Sequence, residues 1–418
     1  MITRIRDSLV RHRKTLALLT GSQLVNLALG FGSSILWARC FHPDTYGSYQ
    51  LVLSTIGIVS SFCLAGLSQT ASLSAAKGAD GNFSQILRLK LFASAIGSAV
   101  MLGYAFYLKR SGQEDVALAV AAVAPLLPGL VLAEIYISWL NSKRDFRLLS
   151  IAQVFPSAMP VIVLGLAAIL RIDSLLFMAI GIQGLIVLGN IWVTWRTRRH
   201  HCQNDRKDPE FIRFGYHASA AGLLGWIAFA DRFVVYEKLS AADLAVYSIA
   251  MIFPGQVRTI YSVIGQFITP EISAAESVSK AWETLRFKLL SVSAIFLGIG
   301  IVGFFLLPYL IPLLFSAKYA ESAEYAKWIF FACATCAPAA YFGNILRAQR
   351  LKVFYYGYEI IQPAASLALY ATLIRYGLEG MTWAQVARQF IFSAIMVACF
   401  FYYLRKERKA GAAAKVKA

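Results

Sequence analysis

Twelve runs of about 20 residues, each almost free of charge, follow one another along this 418-residue chain, and nothing constrains its fold more. They lie at 15–38, 47–71, 88–108, 116–140, 150–170, 174–195, 215–236, 244–268, 288–307, 326–346, 354–374 and 381–404. A helix of about 20 residues crosses about 30 Å of hydrocarbon. Inside a bilayer the backbone must satisfy its own hydrogen bonds, and runs this long do so as helices. With mean hydropathy of +0.60 and only 15% charged residues, the chain lacks the surface of a soluble domain, which is about a quarter charged. The sequence therefore predicts an all-α integral membrane protein of twelve transmembrane helices. Met1 to Lys14 is basic, and the long first run has no small-residue cleavage site, so that run is expected to stay as the first span.

Lysine and arginine set the orientation. With the N-terminus in the cytoplasm, 29 of the 40 fall on inside segments, including a loop read as residues 77–90, and only eight fall outside. Both termini are thus expected in the cytoplasm. This placement accounts for the net charge of +18 without nucleic acid. The densest basic run, Arg196 to Lys207, joins the sixth and seventh runs, where it fixes topology and meets anionic membrane lipids. It is also the longest polar segment and lies midway, so it divides the chain into domains at 1–203 and 204–418. The cysteines lie mostly in apolar runs and propose no disulfides; Cys333 and Cys336 read as packing residues. His200, His201 and Cys202 are adjacent, with no distant partner ligand, and make a poor metal cage.

Two short echoes suggest that the halves are related. Trp37 to Tyr49 is a polar hinge between the first two runs, and Tyr236 to Tyr247 is a similar hinge in the second half, with Tyr49 matching Tyr247. Leu73-Ser-Ala-Ala76 then closes the first region and Ile272-Ser-Ala-Ala275 the second. Tandem halves of this kind recur in secondary transporters.

Charges inside the runs are the informative residues, because each costs about 2.5–3.5 kcal/mol at a helix centre. Arg258 is central in the eighth run, just after Pro254-Gly255, and suits a water-filled cavity. Asp231 and Arg232 lie near the outer end of the seventh run and could neutralise each other; Arg388 lies about two turns into the twelfth. Glu134 and Glu359 sit towards the cytoplasmic side. Gln385 and Gln389 flank Arg388, and Asn26 lies in the first run. Such amides glue helices together, and with arginine they also suit a sugar and phosphate path. No nucleotide-binding loop or catalytic constellation is present in the sequence, so neither a cofactor nor an enzyme is expected.

The hinge residues Ala38-Arg39, Pro43-Asp44, Tyr46-Gly47 and Tyr49 are similar to the pattern after the first helix of bacterial polysaccharide flippases. The resemblance continues through Gly66-Leu67, Ala230-Asp231-Arg232, Val246 to Ala250, Leu314 to Tyr319 and Gly377-Leu-Glu-Gly380. That family usually carries Gly where this chain has Ser316 and Ala317. It belongs to the superfamily that also holds multidrug exporters. The resemblance implies two six-helix bundles forming a V around a central cavity in a bacterial plasma (inner) membrane. It also implies a substrate, undecaprenyl-pyrophosphate-linked oligosaccharide, moved to the outer leaflet for O-antigen, capsule or exopolysaccharide. On this view Arg258 and Arg388 engage the pyrophosphate, with Arg232, Gln385, Gln389 and Asn26 as further cavity candidates. Asp231, Glu134 and Glu359 are candidates for coupling to H+ or Na+, and a glycan polymerase with its chain-length machinery is an expected partner. The rival readings are a drug exporter of the same fold, which should carry cavity carboxylates, and a membrane-embedded glycan polymerase or ligase, which should carry a large outside loop.

Overall fold

The structure is a computed structural model that describes the backbone of residues 2–274, 277–349 and 352–417. The side chains of 1–17, 19, 221, 228, 262, 263, 266, 267, 269–271, 273–276, 350–359 and 410–418 lie outside the described residues. Among the described residues every regular element is helical.

The chain forms two compact units, Met1–Phe233 and Val234–Ala418. The first holds α1 (Ile2–Cys40), α2 (Pro43–Phe62), α3 (Leu67–Ala76), α4 (Gly81–Arg110), α5 (Glu114–Val123), α6 (Leu127–Leu130) and α7 (Leu132–Lys143). It continues with α8 (Phe146–Leu170), α9 (Leu175–His201) and α10 (Pro209–Ala221), then a 3-10 stretch at Gly222–Phe229. Helix α11 (Ala230–Lys238) begins in the first unit and ends in the second. The second unit adds α12 (Ala241–Ala250), α13 (Ile252–Ala274), α14 (Val278–Phe315), α15 (Ala320–Cys336), α16 (Ala339–Ala348), α17 (Lys352–Leu373) and α18 (Gly377–Lys417).

Each apolar run falls on one of these helices or on a consecutive set of them. Among the described residues, six helical segments are long and apolar enough to cross a membrane, and counting two bent pairs as spans gives eight. The surface is that of a protein dissolved in lipid. Ile169 is 80% exposed, Tyr309 78% and Phe92 71%, on helices whose opposite faces are packed. Such a band would drive aggregation in water and is neutral against acyl chains.

The bent pairs show how spans break without stranding polar backbone. Helices α2 and α3 meet at 62° across a turn in which Leu64 adopts φ +55. The Gly66 N–H beside that turn donates to Ser219 Oγ of α10 at 3.1 Å, so a neighbouring helix satisfies it. Residues Ala317–Cys336 and helix α16 meet at 41°, with Pro338 at the joint, where its ring and missing N–H end the ladder. Pro254 falls in the first turn of α13, where a proline is tolerated, and the backbone breaks ahead of it at Met251.

One sequence expectation is corrected here. Residues 77–90 are not a loop: α4 starts at Gly81, which carries Lys90 well into a helix. The physical reason is a partner. Lys90 Nζ donates to Glu134 of α7 and to Ser68 Oγ of α3, so its charge is compensated inside the first unit.

Candidate functional site

The hinge that opens the resemblance is a packed aromatic node. Pro43 occupies the first turn of α2, where its fixed φ starts a helix without wasting a donor. Trp37, at the end of α1, stacks on Tyr49 with centroids 4.8 Å apart and packs against Tyr46 at 5.4 Å and Phe41 at 5.2 Å. The His42 N–H donates to Asp173 Oδ2 at 3.1 Å, tying the hinge to the loop before α9.

Tyr49 and Tyr247, matched in sequence, are matched in bonding. Gln183 Nε2 of α9 donates to Tyr49 Oη at 3.1 Å, and Gln385 Nε2 of α18 donates to Tyr247 Oη at 2.7 Å, both buried. Each tyrosine thus binds a glutamine on the helix of the last run in its own half. Of the closing echoes, Leu73–Ala76 ends α3, while Ala275 of the second lies outside the described residues.

The second unit contains a cavity of about 350 Å³. Arg258 and Tyr261 of α13, Cys333 and Cys336 of α15, Gln362 of α17, and Arg388, Gln389 and Ser393 of α18 supply its polar lining. The α12–α13 break and the α15–α16 bend bring these side chains to one place from four helices. Tyr261 is fixed from two sides: Asn344 Nδ2 donates to its Oη at 2.9 Å, and Tyr341 Oη donates to its carbonyl at 3.0 Å. Among the described lining residues there are two guanidinium groups and no carboxylate. The planar fork of an arginine has the shape to meet phosphate oxygens two at a time.

Of the sequence candidates, Arg258, Arg388 and Gln389 are brought together here. Gln385 is 1% exposed, bonded to Tyr247, and does not line the cavity. Arg232 and Asn26 belong to the first unit. Arg232 Nη1 donates to Gln50 Oε1 of α2 at 3.2 Å, and Asn26 Oδ1 is buried without a hydrogen-bond partner among the described residues. Asp231 is buried at the start of α11, where its Oδ1 accepts from the Arg232 N–H at 2.9 Å and suits the positive end of the helix. Glu134 pairs with Lys90. The side chain of Glu359 lies outside the described residues, while its backbone is part of α17.

Sequence reading passed over Lys90, which it counted with the topology-setting cations, although its position inside an apolar-periodic stretch was a signal. No group of three or more His, Cys, Asp or Glu side chains among the described residues could hold a metal ion. His201 instead meets Asp145 at 2.9 Å. Burial, helped by the charge of Asp80, pushes the Cys202 thiol up to about 12, so it is inert at neutral pH.

Residues 36–324, more than half of the chain, match the family described as polysaccharide biosynthesis protein. The chain belongs to this family. No curated protein matches its sequence. Its fold is shared with solved membrane transporters. An inward-facing multidrug resistance MATE family transporter of the MOP superfamily superposes with a TM-score of 0.72 at 12% identity, over 94% of this chain and 99% of that one. The lipid II flippase MurJ in an inward closed conformation gives 0.67 at 12% identity, over 91% and 87%. An outward-facing MATE family transporter gives 0.62 at 14% identity, over 95% of each. At these identities the likeness establishes the fold alone, an all-α multi-pass membrane fold shared with those proteins.

Proposed function

We propose that this chain is a flippase that moves undecaprenyl-pyrophosphate-linked oligosaccharide repeat units from the cytoplasmic to the outer leaflet of a bacterial plasma membrane. The observation that carries the reading is the second-unit cavity with Arg258 and Arg388 on its wall and no carboxylate among its described lining residues. Membership of the polysaccharide biosynthesis family supports a glycan cargo. The relative named as a lipid II flippase supports lipid movement by this fold.

On this reading all twelve runs cross the membrane with both termini in the cytoplasm, as two six-helix bundles related by repeat, 1–203 and 204–418, around a cavity that opens to alternate sides. Arg258 and Arg388 hold the diphosphate by charge-assisted hydrogen bonds, and Gln389 offers a donor and an acceptor to sugar hydroxyls. Arg232 and Asn26, in the first unit, are further cargo candidates, while Gln385 sets the position of α18 through Tyr247. An inside-negative potential favours outward movement of the anionic headgroup by about 2.3 kcal/mol per charge per 100 mV. Asp231, Glu134 and Glu359 are the carboxylates through which H+ or Na+ would add to that drive. A glycan polymerase and its chain-length machinery then receive the exported unit.

A cationic-drug exporter of the same fold would line this cavity with carboxylates. Deleting the gene in its source and measuring lipid-linked glycan in each leaflet separates the readings. A flippase leaves completed repeat units on the cytoplasmic side and abolishes surface polymer. Accumulation in the outer leaflet points instead to a polymerase or ligase, and unchanged glycan with new sensitivity to cationic dyes points to drug export.

A further inference from the structure

The basic run between α9 and α10 reads in sequence as a topology-setting linker. In the structure it is bolted to the first unit. Asp80, 4% exposed, accepts from Lys143 Nζ at 2.7 Å, Asn204 Nδ2 at 3.0 Å and the Gln203 N–H at 3.2 Å. The Gly81 N–H donates to the Arg206 carbonyl at 2.9 Å. The fully buried side chain of Asn82 both donates to the Asp208 carbonyl and accepts from the Asp208 N–H, each at 3.0 Å. Gly81 is required by the closeness of this seam, because a Cβ there would lie 2.5 Å from the Asp205 carbonyl oxygen.

The seam holds one wall of a groove of about 1180 Å³ between the start of α4 and the end of α9. Arg88 of α4, Arg198 and Arg199 of α9, and Lys207 of the linker line it, with Ser84 and Gln85 adding neutral donors. Of its two carboxylates, Asp80 is already matched by Lys143, which leaves Asp205 against four cations. Trp195, 54% exposed, forms part of the same lining with the Arg199 guanidinium over its ring at 5.4 Å, and Arg196 covers Trp192 one turn earlier at 5.5 Å. An indole paired with a guanidinium at the end of an apolar helix marks the depth of lipid headgroups.

We propose that this groove binds the phosphate-bearing headgroup of an anionic phospholipid, with the four cations on the phosphate and Trp195 against the glycerol and upper acyl chain. The exposed indole beside the charges favours a lipid over a free anion, which has no apolar part to place there. The site needs only the first unit and a bilayer; its assignment to the cytoplasmic leaflet rests on the topology proposed above. The linker wall is preorganised, so the lipid meets charges already in place and does not have to order a coil.

The test is native mass spectrometry of the full chain, purified in a neutral detergent and titrated with phosphatidylglycerol or phosphatidylcholine in the absence of glycan lipid. The wild type should retain phosphatidylglycerol and release phosphatidylcholine. Each of Arg88→Gln, Arg198→Gln, Arg199→Gln and Lys207→Gln should weaken retention about fivefold, on a contribution near 1 kcal/mol per cation. Lys109→Gln with Arg110→Gln, at the far end of α4, should leave it unchanged. Gly81→Ala keeps every charge but displaces the linker wall, and should also reduce retention several-fold. Equal retention by the four single variants overturns the proposal. So does displacement of the phospholipid by inorganic pyrophosphate, which would make this a free-anion site, or by equimolar polyprenyl diphosphate, which would make it a cargo site. Transport is not the readout, so failure here leaves the flippase reading untouched.

Discussion

Lys90 has no exposed surface, and its ammonium is satisfied by Glu134 and Ser68, whereas the Glu134 side chain is 37% exposed. That asymmetry makes a sharp prediction. Glu134→Gln keeps the shape of the site and strands a buried cation. Breaking a buried pair from one side costs about 3–5 kcal/mol, and the solvent that reaches Glu134 places this case at the low end, about 3 kcal/mol. Lys90→Met removes the buried charge and leaves a carboxylate that water and Ser68 can still serve, for a cost of about 1–2 kcal/mol. The double variant Lys90→Met/Glu134→Gln strands nothing and should fall within about 1 kcal/mol of wild type, because an uncharged replacement for a buried pair is close to neutral. Chemical denaturation of the four proteins in one detergent gives the cycle. Additive costs, or single variants within about 0.5 kcal/mol of wild type, would refute the argument. The stable double variant also isolates Glu134 as a coupling candidate, since its transport should lose dependence on a proton or sodium gradient if Glu134 carries that role.

Three further predictions follow from local geometry. Ser316 sits at φ +84 and ψ 155, a region that costs a side-chain-bearing residue about 1–3 kcal/mol. After the larger unfolded-state entropy of glycine is subtracted, Ser316→Gly should stabilise the protein by about 0.5–2 kcal/mol, and an unchanged or lowered melting temperature would contradict it. Tyr49→Phe and Tyr247→Phe should each cost about 0.5–2 kcal/mol by leaving Gln183 and Gln385 short of an acceptor, with Tyr247→Phe and Gln385→Leu less than additive when combined. Asp145 starts α8: burial raises its carboxyl, but the Leu148 N–H, His201 and Arg196 outweigh that and hold it below the usual carboxylate value. A depressed folded value means stabilisation present above about pH 4 and lost as pH falls below it. Asp145→Asn should therefore melt lower than wild type at pH 7, with the gap shrinking as pH falls below about 4, and a gap that stays constant or widens across the acid range would refute the linkage.

The helices were legible because twenty uncharged residues admit one solution in a bilayer, and the hinge because proline, aromatic and glycine positions there each have a mechanical use. Gly377 and Gly380 belong with these. Gly377 takes φ +68 where α18 begins, and a Cβ on Gly380 would fall 1.9 Å from the Leu373 carbonyl oxygen. Arg258 was legible as a charge central in its run and Arg388 as one about two turns into its own, and the structure brings them to one cavity. What stayed hidden depends on partners distant in sequence. Gln183 and Gln385 look like any helix-gluing amides until α9 and α18 fold back on the tyrosines 134 and 138 residues away. Lys90 counted as a surface cation because its partner is 44 residues on. The linker read as a topology-setting basic run, and its composition says nothing of the buried Asp80 and Asn82 that clamp it.

The most direct test of cargo movement uses the purified protein in liposomes that carry a polyprenyl-diphosphate-linked glycan in both leaflets, with a membrane-impermeant glycosidase outside. Wild type should expose the inner pool to the enzyme, and Arg258→Ala combined with Arg388→Ala should leave that pool protected, as in protein-free vesicles. Full exposure by the double variant, or a protected inner pool with wild type present, would contradict a flippase whose two cavity arginines hold the diphosphate.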